Sequence, residues 1–566
     1  MNTFFAKLAT TVTLLVAMVM VAFSATAGAS GTALIQGSGS SWAANAINQW
    51  VSDVNAQGIQ VVYTPDGDAQ GRQDYANRVS DFAITSEGYQ GVDPVTGVPD
   101  TSQGRAYAYL PIAAGGTSFP YHVVIDGQQI RNLRLSGQTL TKIFTNQITN
   151  WDDPAITADN DGHALPSLPI IPVVQSEGSG ATNQLTKYFA TQYPSIWQSY
   201  AHSASSTEYY PRQGAQIAQN GSNGAMNYIA SSAANGSIGY VEYSYALLSN
   251  YPVAKVLNAN GYYTLPTQYN IAVALEAAQI NMDPSSPDYL LQNLNNVYSD
   301  TDPRTYPLSS YVYMVEPIGN NNQDSHMTTD KRQSIADFTD YSICQGQREI
   351  GPIGYSPLPV NLVEASFGQI QKLQAADPGV NLTNLNISSC GNPTFVAGNP
   401  NENYLAQIAP MPPACDHIGS TPCAAGTGNP ESLSGYLGSA SPNGETGSGY
   451  SGSTAGTAAG KAGAGKFVTG SKLYKERWSL DKATGQLIPP NGLSAGGVSS
   501  TVLAEGGASG LWIALAVGAV GVLVAAVIVP PLVSRRRQRR RDEAAAAADH
   551  VDAPDVVHVG GTGGDR

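Results

Sequence analysis

The chain has 566 residues, too many for one simple domain, and only 12% of them are charged. Its formal net charge of −14 speaks against a nucleic-acid partner, because such partners select a basic face. Gly, Ser, Asn, Thr and Ala abound, as suits an extracellular protein.

In chain order, residues 1–27 read as a secretory signal. Lys7 supplies the positive end, LATTVTLLVAMVMVAF the apolar run, and Ala25-Thr26-Ala27 the small-residue cleavage site. An uncleaved anchor is the alternative. No Cys lies near this site, so a lipid anchor is not expected there. Residues 28–395 carry mixed strand and helix signals. Strand TALIQ runs into GSGSS, and a helix follows from Trp42 with Ala43, Ile47, Trp50 and Val54 on one face. IQVVY runs into TPDGDAQG and then a helix RQDYANRV. DFAIT is a short strand ending at Ser86. PIIPVV runs into QSEGSG and a helix through Leu185 and Phe189. Strands alternating with helices predict an α/β fold.

Residues 396–508 change texture. GSASPNGETGSGYSGSTAGTAAGKAGAGK cannot bury enough apolar surface to fold, so this stretch reads as a low-complexity linker spanning roughly 55–65 Å as a coil. One island within it, KFVTGSKLYKERWSLDKATGQLIPP, is richer in aromatic and basic residues. It is either a docking element or a less flexible piece of spacer. A second apolar run, LWIALAVGAVGVLVAAVIV, predicts a transmembrane helix over 509–531. RRRQRRR follows at once, and the positive-inside rule puts it and the polar tail 532–566 in the cytoplasm. The expected topology is therefore a single-pass cell-membrane protein with its globular part outside.

Four cysteines, Cys344, Cys390, Cys415 and Cys423, lie in the exported part, where disulfides persist. Three pairings are open. Cys344–Cys390 with Cys415–Cys423 is the favoured one. Their spacing does not match a zinc ribbon, and the seven histidines show no pair at metal-ligand spacing, so neither metal nor cofactor is expected.

The strand–turn–helix junctions carry the chemistry. The first turn of a helix leaves N–H groups unpaired, and together with the helix dipole they favour an anion. Gly keeps side chains away and Ser adds a hydroxyl donor. One such turn alone is equally an ordinary helix cap. Neither GSGSS nor SEGSG is a nucleophile elbow, and no His sits where a base would be needed, so the chain is not expected to be an enzyme.

Four segments in order resemble one family. They are GSGSSW (Gly37–Trp42), LSGQTLTKIFTNQITNWDDPAI (Leu135–Ile156), SEGSGAT (Ser176–Thr182) and GSIGYVEYSYA (Gly236–Ala246). A further stretch, YSICQGQREIGPIGYSPLPVNLV, fits the end of the same domain. Together they resemble the substrate-binding protein of the phosphate ABC transporter (PstS type). The resemblance implies a class II periplasmic-binding-protein fold of two α/β lobes. One lobe would span about 33–112 and 253–395, the other about 120–250. It also implies phosphate or a related oxyanion as ligand and an ABC permease as partner.

Carried over position by position, it places Ser41, Trp42, Asp68, Ser86, Gln175, Ser179, Gly180 and Ala181 around the ligand. Several depart from the family pattern. Its second-loop hydroxyl falls on Asp68 and its proton-accepting Asp on Ser86, so the two are exchanged. Asp68 is then either an acceptor for a ligand proton or a plain turn residue. The phosphate-pairing Arg falls on Gln175 and a Thr on Ala181. A hydrogen bond to a charged group is worth about 1.5–3 kcal/mol, so the missing Arg costs roughly one to two decades of affinity. Glu177 loses the Arg partner that the family's Asp has. Arg72 either restores that charge or faces solvent. Tyr209-Tyr210 either suits a less charged ligand or packs in the core. The alternative function is a degenerate binding fold serving as a surface adhesion or signalling module.

Overall fold

The computed structural model describes residues 32–423 apart from Ser388, Ser389 and Ala397, and in addition a short antiparallel pairing of Ser479–Leu480 with Leu487–Ile488 inside the aromatic island. The expected signal 1–27, the transmembrane segment 509–531, the tail 532–566 and most of the linker lie outside the described residues. Among the described residues no helix is long and apolar enough to cross a membrane.

The first elements alternate as expected: β1 (Ile35–Gly39), α1 (Ala44–Asn55), β2 (Val61–Thr64), α2 (Asp68–Ala76) and β3 (Phe82–Thr85). β4 (Tyr107–Ser118) is a long strand that leads out of this lobe to β5 (Tyr121–His122), β6 (Arg134–Leu135) and α3 (Gly137–Phe144). Next come β7 (Ile171–Gln175), α4 (Gly180–Gln192), β8 (Ile217–Gln219), α5 (Gly221–Ala230), β9 (Ser237–Gly239) and β10 (Val241–Glu242). The chain then forms β11 (Lys255–Leu257), β12 (Tyr263–Thr264), α6 (Gln268–Leu275), β13 (Ser309–Pro317), α7 (Thr329–Ile343), α8 (Val360–Ala376) and α9 (Tyr404–Ile408).

Two sheets define two lobes. The first has strand order β10-β4-β13-β3-β1-β2, with β1 parallel to both β2 and β3 and with β13 antiparallel to β3 and β4. The second has order β8-β7-β9-β5, with β7 parallel to β8 and β9. β3 and β13 are buried along their whole length, as expected of strands covered by helices on both faces. Ala43, Ile47, Trp50 and Val54 are fully buried, so the sequence pattern correctly marked the inward face of α1. Each large apolar side chain so buried stabilises by about 1.5–3 kcal/mol. β4 and the β9–β10 segment are the crossings between lobes, joined where Thr117 and Ser118 pair with Glu242 and Val241.

Three boundaries differ from expectation. α2 begins at Asp68, not Arg72, so the preceding turn is shorter. β11 and β12 form a small sheet with β6 of the second lobe's segment, so the chain rejoins the first lobe at α6 rather than at 253. The packed chain also runs to Cys423, past 395. Leu405, Ala406 and Ala409 cluster with Ala272 and Val273 of α6. Arg134 Nη1 donates to the Cys415 carbonyl at 3.0 Å, and Lys255 pairs with the buried Asp416. A few apolar contacts, one buried ion pair and the Cys415–Cys423 bridge hold a segment whose composition alone reads as spacer. Both favoured disulfides form, Cys344–Cys390 and Cys415–Cys423.

Candidate ligand-binding cleft

The cleft is built from strand ends and helix starts. Gly39 and Gly71 set its floor. A Cβ on Gly71 would run into the Gly39 backbone, so only glycine lets α2 lie against the end of β1. That approach places Asp68 beside the end of β3, where its Oδ1 accepts from the Ser86 N–H at 2.6 Å. Asp68 is 1% exposed. It is a buried helix-start carboxylate, not a plain turn residue. Facing it from the second lobe is Gly180, where a Cβ would clash with Asp68 Oδ1 and Ser86 Oγ. The exchanged pair Asp68 and Ser86 therefore meets at the first turn of α4.

Ser179 caps that helix, accepting from Thr182 N–H at 3.4 Å, and Gly180 and Ala181 begin it. Their amides have no partner within the helix ladder. Gln175, at the end of β7, accepts from the Ser179 hydroxyl, and its Nε2 donates to Ser222 Oγ at 3.2 Å. Ser41 lies in the loop after β1. Its Oγ accepts from Ser222 N–H at 3.0 Å and its carbonyl from Tyr245 Oη at 2.6 Å. The Trp42 ring turns into the core of the first lobe, with Nε1 on Thr117 at 3.1 Å and its edge against Tyr355. Only its backbone is left to the cleft.

Ser222 and Gly221, at the start of α5, were missed in the sequence, although AQNGS before that helix repeats the strand–turn–helix pattern of the other loops. Ser222 joins Gln175 to Ser41 and so links the lobes. Ala69 N–H also crosses, donating to the Gly178 carbonyl at 3.1 Å.

Arg72 follows neither expectation. It is fully buried and away from solvent, but its guanidinium is committed elsewhere. Nε and Nη2 grip Asp100 at 3.0 and 2.9 Å, Nη1 donates to Thr85 Oγ1 at 2.8 Å, and Nη2 reaches Glu208 of the second lobe at 2.6 Å. No sequence pattern marks Asp100 or Glu208 as its partners. Glu177, deprived of an Arg, takes the α5 amide instead: Gly221 N–H donates to its Oε2 at 3.0 Å. Its Oε1 is buried with no hydrogen bond. Tyr210 packs in the aromatic core with Trp197, Tyr200 and Tyr240, whereas the Tyr209 ring lies against Gly178 at the cleft edge.

The cleft is rich in carboxylates whose charge is resisted. Burial raises Glu177, and the nearby Asp68 adds to that, while the Gly221 amide opposes it. Burial pushes Glu208 up to about 7 against the pull of Arg72. Burial and Asp74 push Asp66 to about 7, and burial beside Glu208 raises Glu87 well above the carboxylate range. Among the described residues no group of His, Cys, Asp and Glu is arranged to hold a metal ion.

A family model described as a PBP superfamily domain matches residues 24–345. The phosphate-binding protein PstS of Xylella fastidiosa is 28% identical over 334 residues, which cover 58% of this chain and 83% of that protein. PstS 2 of Mycobacterium tuberculosis is 27% identical over 331 residues, covering 57% and 83%. PstS of Pasteurella multocida is 28% identical over 344 residues, covering 60% and 89%. With the two α/β lobes, their paired crossings and this match over more than half its length, the chain belongs to the PBP superfamily, and its curated relatives are PstS-type binding proteins.

Proposed function

We propose that this chain is an extracellular solute-binding protein for phosphate or a related tetrahedral oxyanion, anchored in the cell membrane and serving an ABC permease. The observation that carries the reading is the meeting of Asp68 and Ser86 with Gly180 at the first turn of α4. Helix-start amides and short hydroxyls from both lobes converge there, which is the chemistry an oxyanion needs. The names of the PstS relatives support phosphate as the first ligand to test.

In this reading Ser41 and Ser86 supply hydroxyls, Ser179 turns its hydroxyl from Gln175 to the ligand, Trp42, Gly180 and Ala181 supply backbone N–H groups, and Asp68 accepts a ligand proton. Gln175 donates its amide where the family has a cation. The cross-lobe bonds Ser222–Ser41, Ala69–Gly178 and Arg72–Glu208 close the cleft, so the lobes must part to admit ligand and these bonds re-form around it. The signal 1–27, the span 509–531 and the arginine-rich tail would place this domain outside the cell on a long tether.

Calorimetry on the detergent-solubilised full-length protein tests the binding function. Heat with phosphate or arsenate is the expected result. No heat with phosphate, arsenate, sulfate or phosphonates would abandon it in favour of a surface module that has kept the fold without the ligand. Protease treatment of intact cells tests the anchoring: it should remove the globular domain and spare the tail.

A further inference from the structure

Resting on that oxyanion reading, we propose that Glu177 is a second proton-accepting carboxylate of the cleft beside Asp68, so that the site selects phosphate in its singly charged, doubly protonated form. Three observations place Glu177 there. A Cβ on Gly67, the residue before Asp68, would stand 2.8 Å from Glu177 Cγ, so this side chain lies against the loop that presents Asp68. Its Oε2 is fixed by Gly221 N–H, next to the Ser222 amide that bonds Ser41. Its Oε1 is buried and accepts nothing from the protein. An acceptor so placed needs a donor, and a ligand hydroxyl provides one.

Among the described residues no cation is ion-paired with the second carboxylate. Gln175 stands where the family has Arg, and its amide is a neutral donor that brings no positive charge. Arg72 is spent on Asp100, Thr85 and Glu208. The groups acting on Glu177 are Asp68 from α2 and the amides of Gly221, Ser176 and Glu177 itself, and Glu177 in turn bears on Tyr240 and on Tyr245. Asp66, Glu87 and Glu208 add further acid to the same junction, with Lys187 and Arg72 acting on Glu87. A fully ionised dianion would meet two carboxylates, neither of them ion-paired among the described residues, with Lys187 acting on Glu87. A phosphate with two O–H groups instead donates one to Asp68 and one to Glu177, and turns its remaining oxygens to the N–H groups of α4.

The consequence is a proton held in the complex that the separated partners release above neutrality. The linkage sign follows whether that proton sits on ligand or carboxylate: the complex binds more protons than its parts, so affinity falls as pH rises. Calorimetry of the full-length protein with inorganic phosphate, at about pH 5.5 and about pH 8.5, should show at least about tenfold weaker binding at the higher pH. Repeating the titration in buffers of different ionisation enthalpy should show net proton uptake near pH 8. Glu177→Gln should reduce that uptake and narrow the gap mainly by tightening binding at high pH. Gln175→Arg, which adds a cation on the same wall, should narrow it too. Binding as tight at high pH as at low, or no proton uptake, would overturn the proposal and leave the phosphate site standing. An unchanged uptake in a folded Glu177→Gln protein would overturn the role of Glu177. No phosphate heat at either pH overturns the oxyanion reading and this proposal with it.

Discussion

Two buried arginines, Arg72 and Arg105, look alike and do different things. Both are withdrawn from water, and both pair with a carboxylate through Nε. Arg105 stays inside the first lobe. It holds Asp324 at 2.6 Å and the carbonyls of Tyr75 and Ser80 at 2.7 and 2.9 Å, and it stacks on the Tyr75 ring at 4.0 Å. Arg72 divides its guanidinium between Asp100 of its own lobe and Glu208 of the other. If Arg105 is lost, the stranded charge of Asp324 escapes only by unfolding. If Arg72 is lost, Asp100 keeps the Gln90 N–H within its lobe, and Glu208 would reach water where the lobes part. Equal burial therefore ties one lobe to itself in one place and two lobes together in the other, and the topology of the partners decides which.

The comparison is sharpest in Arg105→Met. It leaves Asp324 with Arg78, 3.6 Å away and partly exposed, and the charge of Arg332. The expected loss is about 3–5 kcal/mol of stability. Because the damage lies within one lobe, the fall in Tm should be the same with and without phosphate. Arg72→Met should cost less stability, since Asp100 keeps the Gln90 N–H and Glu208 can be relieved by the lobes relaxing apart, but should weaken phosphate binding by about one to two decades. Calorimetry and thermal unfolding of the two variants side by side decide the matter. If Arg72→Met loses stability as Arg105→Met does while keeping full affinity, Arg72 is only a packing residue.

Gly71→Ala probes the same helix by another route. A methyl there meets the backbone of Gly39, and overpacking of this kind costs about 1–3 kcal/mol. It would also shift α2, which carries both Asp68 and Arg72, so affinity should fall together with Tm. Loss of Tm without loss of affinity would mean that the cleft tolerates movement of α2.

Part of this was legible in the sequence and part could not be. Ile47, Trp50 and Val54 recur at helical spacing because one face of α1 has to be buried, and Gly37–Trp42 announced a strand ending in a helix start. Such local patterns are short-range consequences of burial and capping. The commitment of Arg72 to Asp100 and Glu208 joins residues 28 and 136 positions apart, and no local pattern encodes it. Ser222 was within reach, since its loop repeats the motif of the others. The segment up to Cys423 was misjudged because its Asn- and Pro-rich texture hides the few residues, Leu405, Ala406 and Ala409, that dock it on α6.

The smallest expected effect separates the two regions by pH. Glu316, on β13 in the first lobe, is fully buried, with both carboxylate oxygens free of hydrogen bonds. Burial pushes it up to about 8 while Lys372 pulls it down. Glu208, at the lobe junction, is pushed up to about 7. Each is raised above the ordinary carboxylate range, so each contributes most below that range and loses its contribution as pH rises through its own value. For Glu316 the linked event is unfolding, so Tm should decline toward about pH 8, and Glu316→Gln should recover about 1 kcal/mol there and little at about pH 5. On the proposed closure, the event linked to Glu208 is opening, since parting the lobes would bring water to it. Glu208→Gln should therefore leave Tm nearly unchanged and soften the fall of phosphate affinity above neutrality. If Glu208→Gln instead moves Tm as Glu316→Gln does, the junction does not open independently of the fold, and the contrast between Arg72 and Arg105 collapses with it.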